Sequence, residues 1–384
     1  MISDGIKFNN FKVYKNSSKI KKQLASLLKE NNSIIQSFKN NYKDSFKIKS
    51  LQKLKKLKNF RLIGMGGSSL GTEAIYSFLR NKIKKNFIFI NDLDVDIKNT
   101  KDKKFLNLVI SKSGETIETI INANILINKF DKNIFITENK ENYLIKLAEK
   151  LKTEVIEHNN FIGGRYSVLS ETGMLPAELM GLDVKKFRQL NNLIKNKKYL
   201  NALVSNVNSI LFFVKKKKYN SIILNYDQKS EGLFYWYQQL VAESLGKNKK
   251  GLLPIISNMP KDNHSTMQLY LDGIKNNFFT FFYVNENNSS KLINETILSS
   301  KSYLKNKKVK DIIFAQKKAT ENIFNKKNIP FRSFEIMKRD EKTLGELFSF
   351  FILETILLGK AMKINPYNQP AVELIKNKTK NILS

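Results

Sequence analysis

No cysteine occurs in the 384 residues. Its absence excludes disulfides, thiolate metal sites and thiol nucleophiles, and fits a reducing compartment. Arginine is almost as scarce. Only Arg61, Arg80, Arg165, Arg188, Arg332 and Arg339 occur, which leaves 61 lysines among the 67 basic residues. Readers of base edges and phosphate pairs depend on arginine forks, so a lysine excess of this kind points to biased composition rather than to a nucleic-acid partner. Long apolar runs are missing too. The longest, residues 347–358, is interrupted by Glu354 and is too short to span a bilayer, and the first ten residues lack the apolar core of a signal peptide. The expectation is a soluble, cytoplasmic chain that engages neither membrane nor nucleic acid.

What is present is enough for a folded core: 41% hydrophobic and 11% aromatic residues in a chain long enough for two or three domains. Against 34 acidic residues the basic excess gives a formal charge of +33, a field that attracts anionic metabolites. Residues 1–58 read as a helical lead-in. From residue 59 strands alternate with helices, with strands expected near 61–64, 87–91, 107–111, 133–137 and 153–157. A second alternation follows, with strands near 221–226, 252–257, 278–284 and 330–336, and helices over 231–245, after His264, and over 291–304 and 309–325. Such alternation predicts an α/β fold with parallel sheets covered by helices on both faces. The organisation expected is a lead-in (1–58), a first doubly wound unit (59–183), a second (184–340) and C-terminal helices (341–384).

Residues 108–119, L-V-I-S-K-S-G-E-T-I-E-T, are the centre of this pattern: an apolar strand ends in small hydroxyls, a lysine and a glycine before helix formers resume. Unpaired amides at a helix start, with the positive end of the helix dipole, suit an anion, and Ser111, Lys112, Ser113 and Thr116 add hydroxyls and a cation. A Ser/Thr-capped helix with an exposed lysine is the other reading of this loop taken alone. The glycine-dense turn Gly64-Met65-Gly66-Gly67-Ser68-Ser69-Leu70-Gly71 fits neither a dinucleotide fingerprint, which needs glycine at 69, nor a P-loop. It does let backbone approach a ligand at Gly67 and Ser68. In open α/β sheets both turns would face one crevice at the carboxyl ends of the strands.

Further along, Gly163-Gly164-Arg165 aims one of the few arginines from a cleared turn. Gln239 and Glu243 share a face of the 231–245 helix, where a half-buried carboxylate is suited to moving a proton. His264, one of two histidines, stands at a loop-to-helix junction. Gln369 falls in a proline-fixed turn and Lys376 in the last helix. Each also has a plain structural reading, as a loop arginine, a surface glutamate or a solvent-facing histidine.

Taken together and in order, G-M-G-G-S-S-L-G, S-K-S-G-E-T-I-E-T, G-G-R-Y-S-V-L-S, W-Y-Q-Q-L-V-A-E-S-L-G-K, H-S-T-M-Q-L-Y-L-D-G and N-P-Y-N-Q-P-A-V-E-L-I-K resemble the phosphoglucose isomerase family of the sugar-isomerase (SIS) superfamily, over residues 60 to 380. The resemblance implies two SIS-type domains, a C-terminal helical segment returning to the active site, no cofactor and no metal. It implies interconversion of glucose 6-phosphate and fructose 6-phosphate through a cis-enediolate. Glu243 would be the base and Arg165 the stabiliser, with His264 and Lys376 opening the ring. Gln239 and Gln369 would contact the sugar, and Gly67, Ser68, Ser111, Lys112, Ser113 and Thr116 the phosphate end. It also implies a homodimer whose active sites are shared, each histidine serving the neighbouring chain.

Departures from the family pattern are Ser69 for an aspartate, Ser113 for a threonine, Ala371 for a glycine and Ile375 for the glycine before the final lysine. They touch loop geometry rather than reacting groups. Two alternatives are a dual-specificity phosphoglucose/phosphomannose isomerase, against which Gln239 speaks, and a catalytically silent sugar-phosphate sensor, which would have lost Glu243 or Arg165.

Overall fold

Short β-branched and aromatic runs bounded by Asn, Gly and Ser become strands in the computed structural model, which describes residues 1–13, 18–93, 105–128, 130–286, 289–292 and 301–384. The strands are β1 (Ile6–Asn9), β2 (Asn59–Ile63), β3 (Asn86–Ile90), β4 (Leu106–Ile110), β5 (Lys132–Thr137), β6 (Glu154–Glu157), β7 (Asn220–Asn225), β8 (Leu253–Asn258), β9 (Asn277–Val284) and β10 (Phe331–Ile336). One sheet has the order β3-β2-β4-β5-β6 and is parallel throughout. The other has the order β1-β10-β9-β7-β8 and is parallel except for β1. Counted from its first parallel strand, each sheet runs second, first, third, fourth, and the all-parallel sheet continues to a fifth, β6. This is one doubly wound scheme used twice, the α/β class expected from the alternation. Its switch points lie between β2 and β4 and between β7 and β9. Strands β4 and β9 are buried along their whole length, as parallel strands covered on both faces must be.

Two expectations need correction. Residues 1–58 are not wholly helical: β1 adds an antiparallel edge to the second sheet, pairing Ile6 with Ile336 and Asn9 with Ser333. Four residues are too few for a local strand signal, and only the partner strand at the far end of the chain makes them one. The helix anticipated over 291–304 falls largely on 293–300, outside the described residues; of its described part, Lys291 bridges to Lys308 and Ser302–Leu304 form a single turn.

The helix Glu341–Met362 runs through the core, buried from Thr343 to Gly359. Asp340 caps its start by accepting from the Thr343 amide, and Lys363 ends it in the left-handed conformation. The apolar run 347–358 is thus a core helix, and among the described residues no helix is long and apolar enough to cross a membrane. The glutamate that interrupts it, Glu354, is fully buried and ion-paired with the equally buried Arg332 of β10. Asn206 accepts from Arg332 at 2.8 Å and Tyr237 donates to Glu354 at 3.0 Å, so the buried charges are hydrogen-bonded as well as paired.

Candidate active site

The β2 and β4 ends are level, Ile63 pairing with Val109, so the loops that follow emerge side by side at the first switch point. After β2, Gly66 adopts φ +53°, and a Cβ there would lie 2.8 Å from Gln239 Nε2. A Cβ on Gly67 would stand 2.2 Å from the carbonyl carbon of Gly164 and 2.6 Å from the Arg165 amide nitrogen. Only glycine lets this turn wedge between the Gln239 helix and the arginine turn.

Arg165 opens the short helix Gly164–Leu169 and is buried. Its guanidinium has five N–H groups, and all five are committed. Nε donates to Ser244 Oγ at 2.8 Å, and Nη2 donates to the carbonyls of Pro366 at 2.7 Å and Asn368 at 3.2 Å. Nη1 donates to Gln369 Oε1 at 2.7 Å and to Glu243 Oε2 at 3.1 Å. The other carboxylate oxygen, Glu243 Oε1, accepts from Gln239 Nε2 at 3.0 Å. Gln239 and Glu243 share a face of the helix Glu231–Leu245, where the 3.6-residue repeat puts positions four apart together. Arg165, Gln239, Glu243 and Gln369 thus form one contiguous group from three separate chain segments. Tyr166 and Ser244, not anticipated from sequence, hold it: their hydroxyls are 2.7 Å apart, and Tyr166 donates to Pro366 O at 2.9 Å. Burial pushes the Tyr166 phenol above its ordinary range, which keeps that donor protonated. Adjacency was the available signal, since each follows a residue already singled out.

The loop after β4 leads into the ten-residue helix Ile117–Leu126. Gly114 has φ +68° and its amide closes a turn onto Ser111 O at 3.1 Å. The hydroxyls of Ser111 and Thr116 are 2.9 Å apart, Ser111 buried and Thr116 half-buried at the helix start, while Ser113 is exposed and accepts from the Glu115 amide. Hydroxyls gathered at a helix N-terminus make an anion cradle. The Lys112 ammonium donates to Asn160 O at 2.8 Å and stands 3.3 Å from Glu138. Burial would raise the Glu138 carboxyl, but Lys140 and Lys112 outweigh it and hold it below its usual range. Lys112 also lines a cleft of about 600 Å³ with Asn160, Phe161, Gly163, Tyr166 and Tyr367, which joins the phosphate-type loop to the arginine turn.

Two of the anticipated residues are not brought to this group within one chain. His264 is exposed at the end of the turn Lys261–His264, beyond the edge strand β8. Lys376 lies on the helix Pro370–Leu383, which buries none of its residues, and pairs at 2.8 Å with Glu373. Among the described residues no three His, Asp or Glu side chains converge as a metal would require.

The phosphoglucose isomerase family model matches residues 22–384. The chain belongs to the phosphoglucose isomerase family. Among other members, the glucose-6-phosphate isomerase of Methanocaldococcus jannaschii is 32% identical over 358 residues, covering 86% of each chain. Of solved structures, a hypothetical protein from Thermus thermophilus superposes with a TM-score of 0.82 at 22% identity, over 95% of this chain and 94% of that one. A glucose-6-phosphate isomerase from Chlamydia trachomatis gives 0.75 at 17% identity, over 98% and 80%. At those identities the two structures speak for the fold, and the family assignment stands on the sequence match.

Proposed function

We infer that this member of the phosphoglucose isomerase family is an aldose–ketose isomerase that interconverts D-glucose 6-phosphate and D-fructose 6-phosphate. The observation that carries the reading is the Arg165–Glu243 pair, at 3.1 Å, with Gln239 and the anion-cradling loops beside it. The phosphate occupies the loop hydroxyls of Ser68, Ser111, Ser113 and Thr116 with the Gly67 backbone and Lys112, which positions the sugar from a distance. Glu243 takes the proton from C2 of the open-chain aldose and returns it to C1. Across the enediolate the O2 hydroxyl proton passes to O1, so the ketose forms with nothing gained or lost overall. The developing enediolate oxygen needs a cation, and Arg165 supplies it. Its three bonds to Ser244 and the backbone stay; the two on Nη1, to Gln369 and Glu243, are side-chain bonds that can be exchanged for the substrate.

Ring opening falls to His264 and Lys376. The exposed position of His264 supports a homodimer in which it reaches the neighbouring chain's site. The exposed Leu374, Ile375, Ile382 and Leu383 of the last helix offer apolar surface for a second chain to cover. We assign the chain to the cytoplasm, with units divided at 59–183, 184–340 and 341–384. Incubating fructose 6-phosphate with the protein in heavy water tests the chemistry. Glucose 6-phosphate carrying deuterium at C2, gained where the proton held on Glu243 exchanges with solvent at the enediolate, is expected, and no interconversion would refute the reading.

A further inference from the structure

The 365–369 turn presents Gln369 to the site but belongs to no helix or strand, so its carbonyls need side-chain partners. Arg165 and Tyr166 satisfy Pro366, and Arg165 satisfies Asn368. Asn365 O is held by a residue that the chemistry above leaves unused: Lys247 donates to it at 2.6 Å. The same ammonium donates to Ser244 O at 3.0 Å, within the last turn of the helix Glu231–Leu245, whose carbonyls and dipole favour a cation. One side chain therefore ties the end of the helix that carries Glu243 to the start of the turn that carries Gln369. Arg165 makes the parallel tie from Ser244 Oγ to Gln369.

We propose that Lys247 is a positioning residue for the isomerisation, fixing the spacing of Glu243 and Gln369 on either side of Arg165. This rests on the function inferred above. Burial, with repulsion from Arg165, brings the Lys247 ammonium down to about 8, and Glu243 pulls the other way. Of the two other cations on its loop, Lys249 is exposed and Lys250 is engaged elsewhere, donating to Met362 O at 3.1 Å. The tie weakens as pH rises through 8, because the neutral amine is a poorer donor to both carbonyls.

The test compares Lys247→Met, Lys247→Arg and Lys250→Met with the wild-type chain, reading kcat/KM on fructose 6-phosphate against pH and amide hydrogen exchange over residues 365–369. Lys247→Met should lower kcat/KM by about ten- to hundredfold, the usual effect of losing one charged hydrogen bond. It should also speed exchange in the turn and remove an alkaline limb centred near pH 8. Lys247→Arg, which keeps a cation without that titration, should restore most of the activity at neutral pH, and Lys250→Met should match wild type. Wild-type kcat/KM in Lys247→Met would overturn the proposal, and so would lost activity with unchanged exchange. A wild-type chain inactive on both sugar phosphates would instead overturn the function from which the proposal starts.

Discussion

Arg165 and Glu243 face each other across 3.1 Å with opposite degrees of exposure: the arginine side chain is 1% accessible and the glutamate 30%. A cation with every N–H committed is preorganised and immobile, whereas the carboxylate it steers keeps an open side from which to meet a substrate carbon. Replacing Arg165 with lysine should therefore be far from conservative. Lysine can reach one or two of the five acceptors, and kcat/KM should fall by about a hundredfold or more, with Ser244 and the 365–369 turn left unheld. Steady-state kinetics on fructose 6-phosphate would read this directly, and a variant within a few-fold of wild type would remove Arg165 from the mechanism.

The phosphate end is expected to be local in its electrostatics despite the charge of +33. Lys112→Ala should weaken sugar-phosphate binding about ten- to hundredfold, while Lys185→Ala, outside the loops, should leave it unchanged, because exposed charges are screened beyond about 8–10 Å at physiological salt. Calorimetric titration of both variants checks it. Equal effects would mean a diffuse field rather than a site.

His158 gives a pH signature in stability. Burial, which outweighs its hydrogen bond to Asn159 O and is reinforced by Lys112, brings its imidazole down to about 4. Below the ordinary value of about 6.5 the unfolded chain binds a proton that the native chain refuses. The stability is therefore complete above pH 6.5 and is lost as pH falls toward 4, at about 1.4 kcal/mol per pH unit. Denaturant midpoints measured between pH 7 and 4 should show this slope, and His158→Asn should flatten it.

The buried Arg332–Glu354 pair should be costly to break from one side. Arg332→Met leaves Glu354 as a buried, uncompensated charge among Asn206 and Tyr237, and should lose about 3–5 kcal/mol in chemical denaturation. Replacing both residues with Met should recover much of that loss. A single variant as stable as wild type would show that the pair contributes nothing net.

Much of this was legible because periodicity and loop chemistry agreed. The 231–245 helix was bounded to the residue, and each parallel strand was placed to within one or two residues, most of them because an apolar run ended in or before Gly, Ser or Asn. The group of Arg165, Gln239, Glu243 and Gln369 was nameable residue by residue, yet its closure was not. Pro366 and Asn368 contribute backbone carbonyls, which no side-chain pattern announces. The same limit hid β1, whose partner is supplied only by the fold, and the anchoring of Lys112 on Asn160 and Glu138. Glu354 broke an apolar run for a reason that became visible only once Arg332 stood opposite it.

The central claim is that Glu243 is the base that carries the proton between C2 and C1, and Glu243→Gln tests it most directly. The amide keeps the size and a hydrogen-bonding oxygen for Arg165 but cannot accept the proton. Interconversion of fructose 6-phosphate and glucose 6-phosphate, followed in a coupled assay, should fall by about 10²–10⁴-fold or more, while calorimetry shows the sugar phosphate still bound. Turnover close to that of the wild-type chain would contradict the claim.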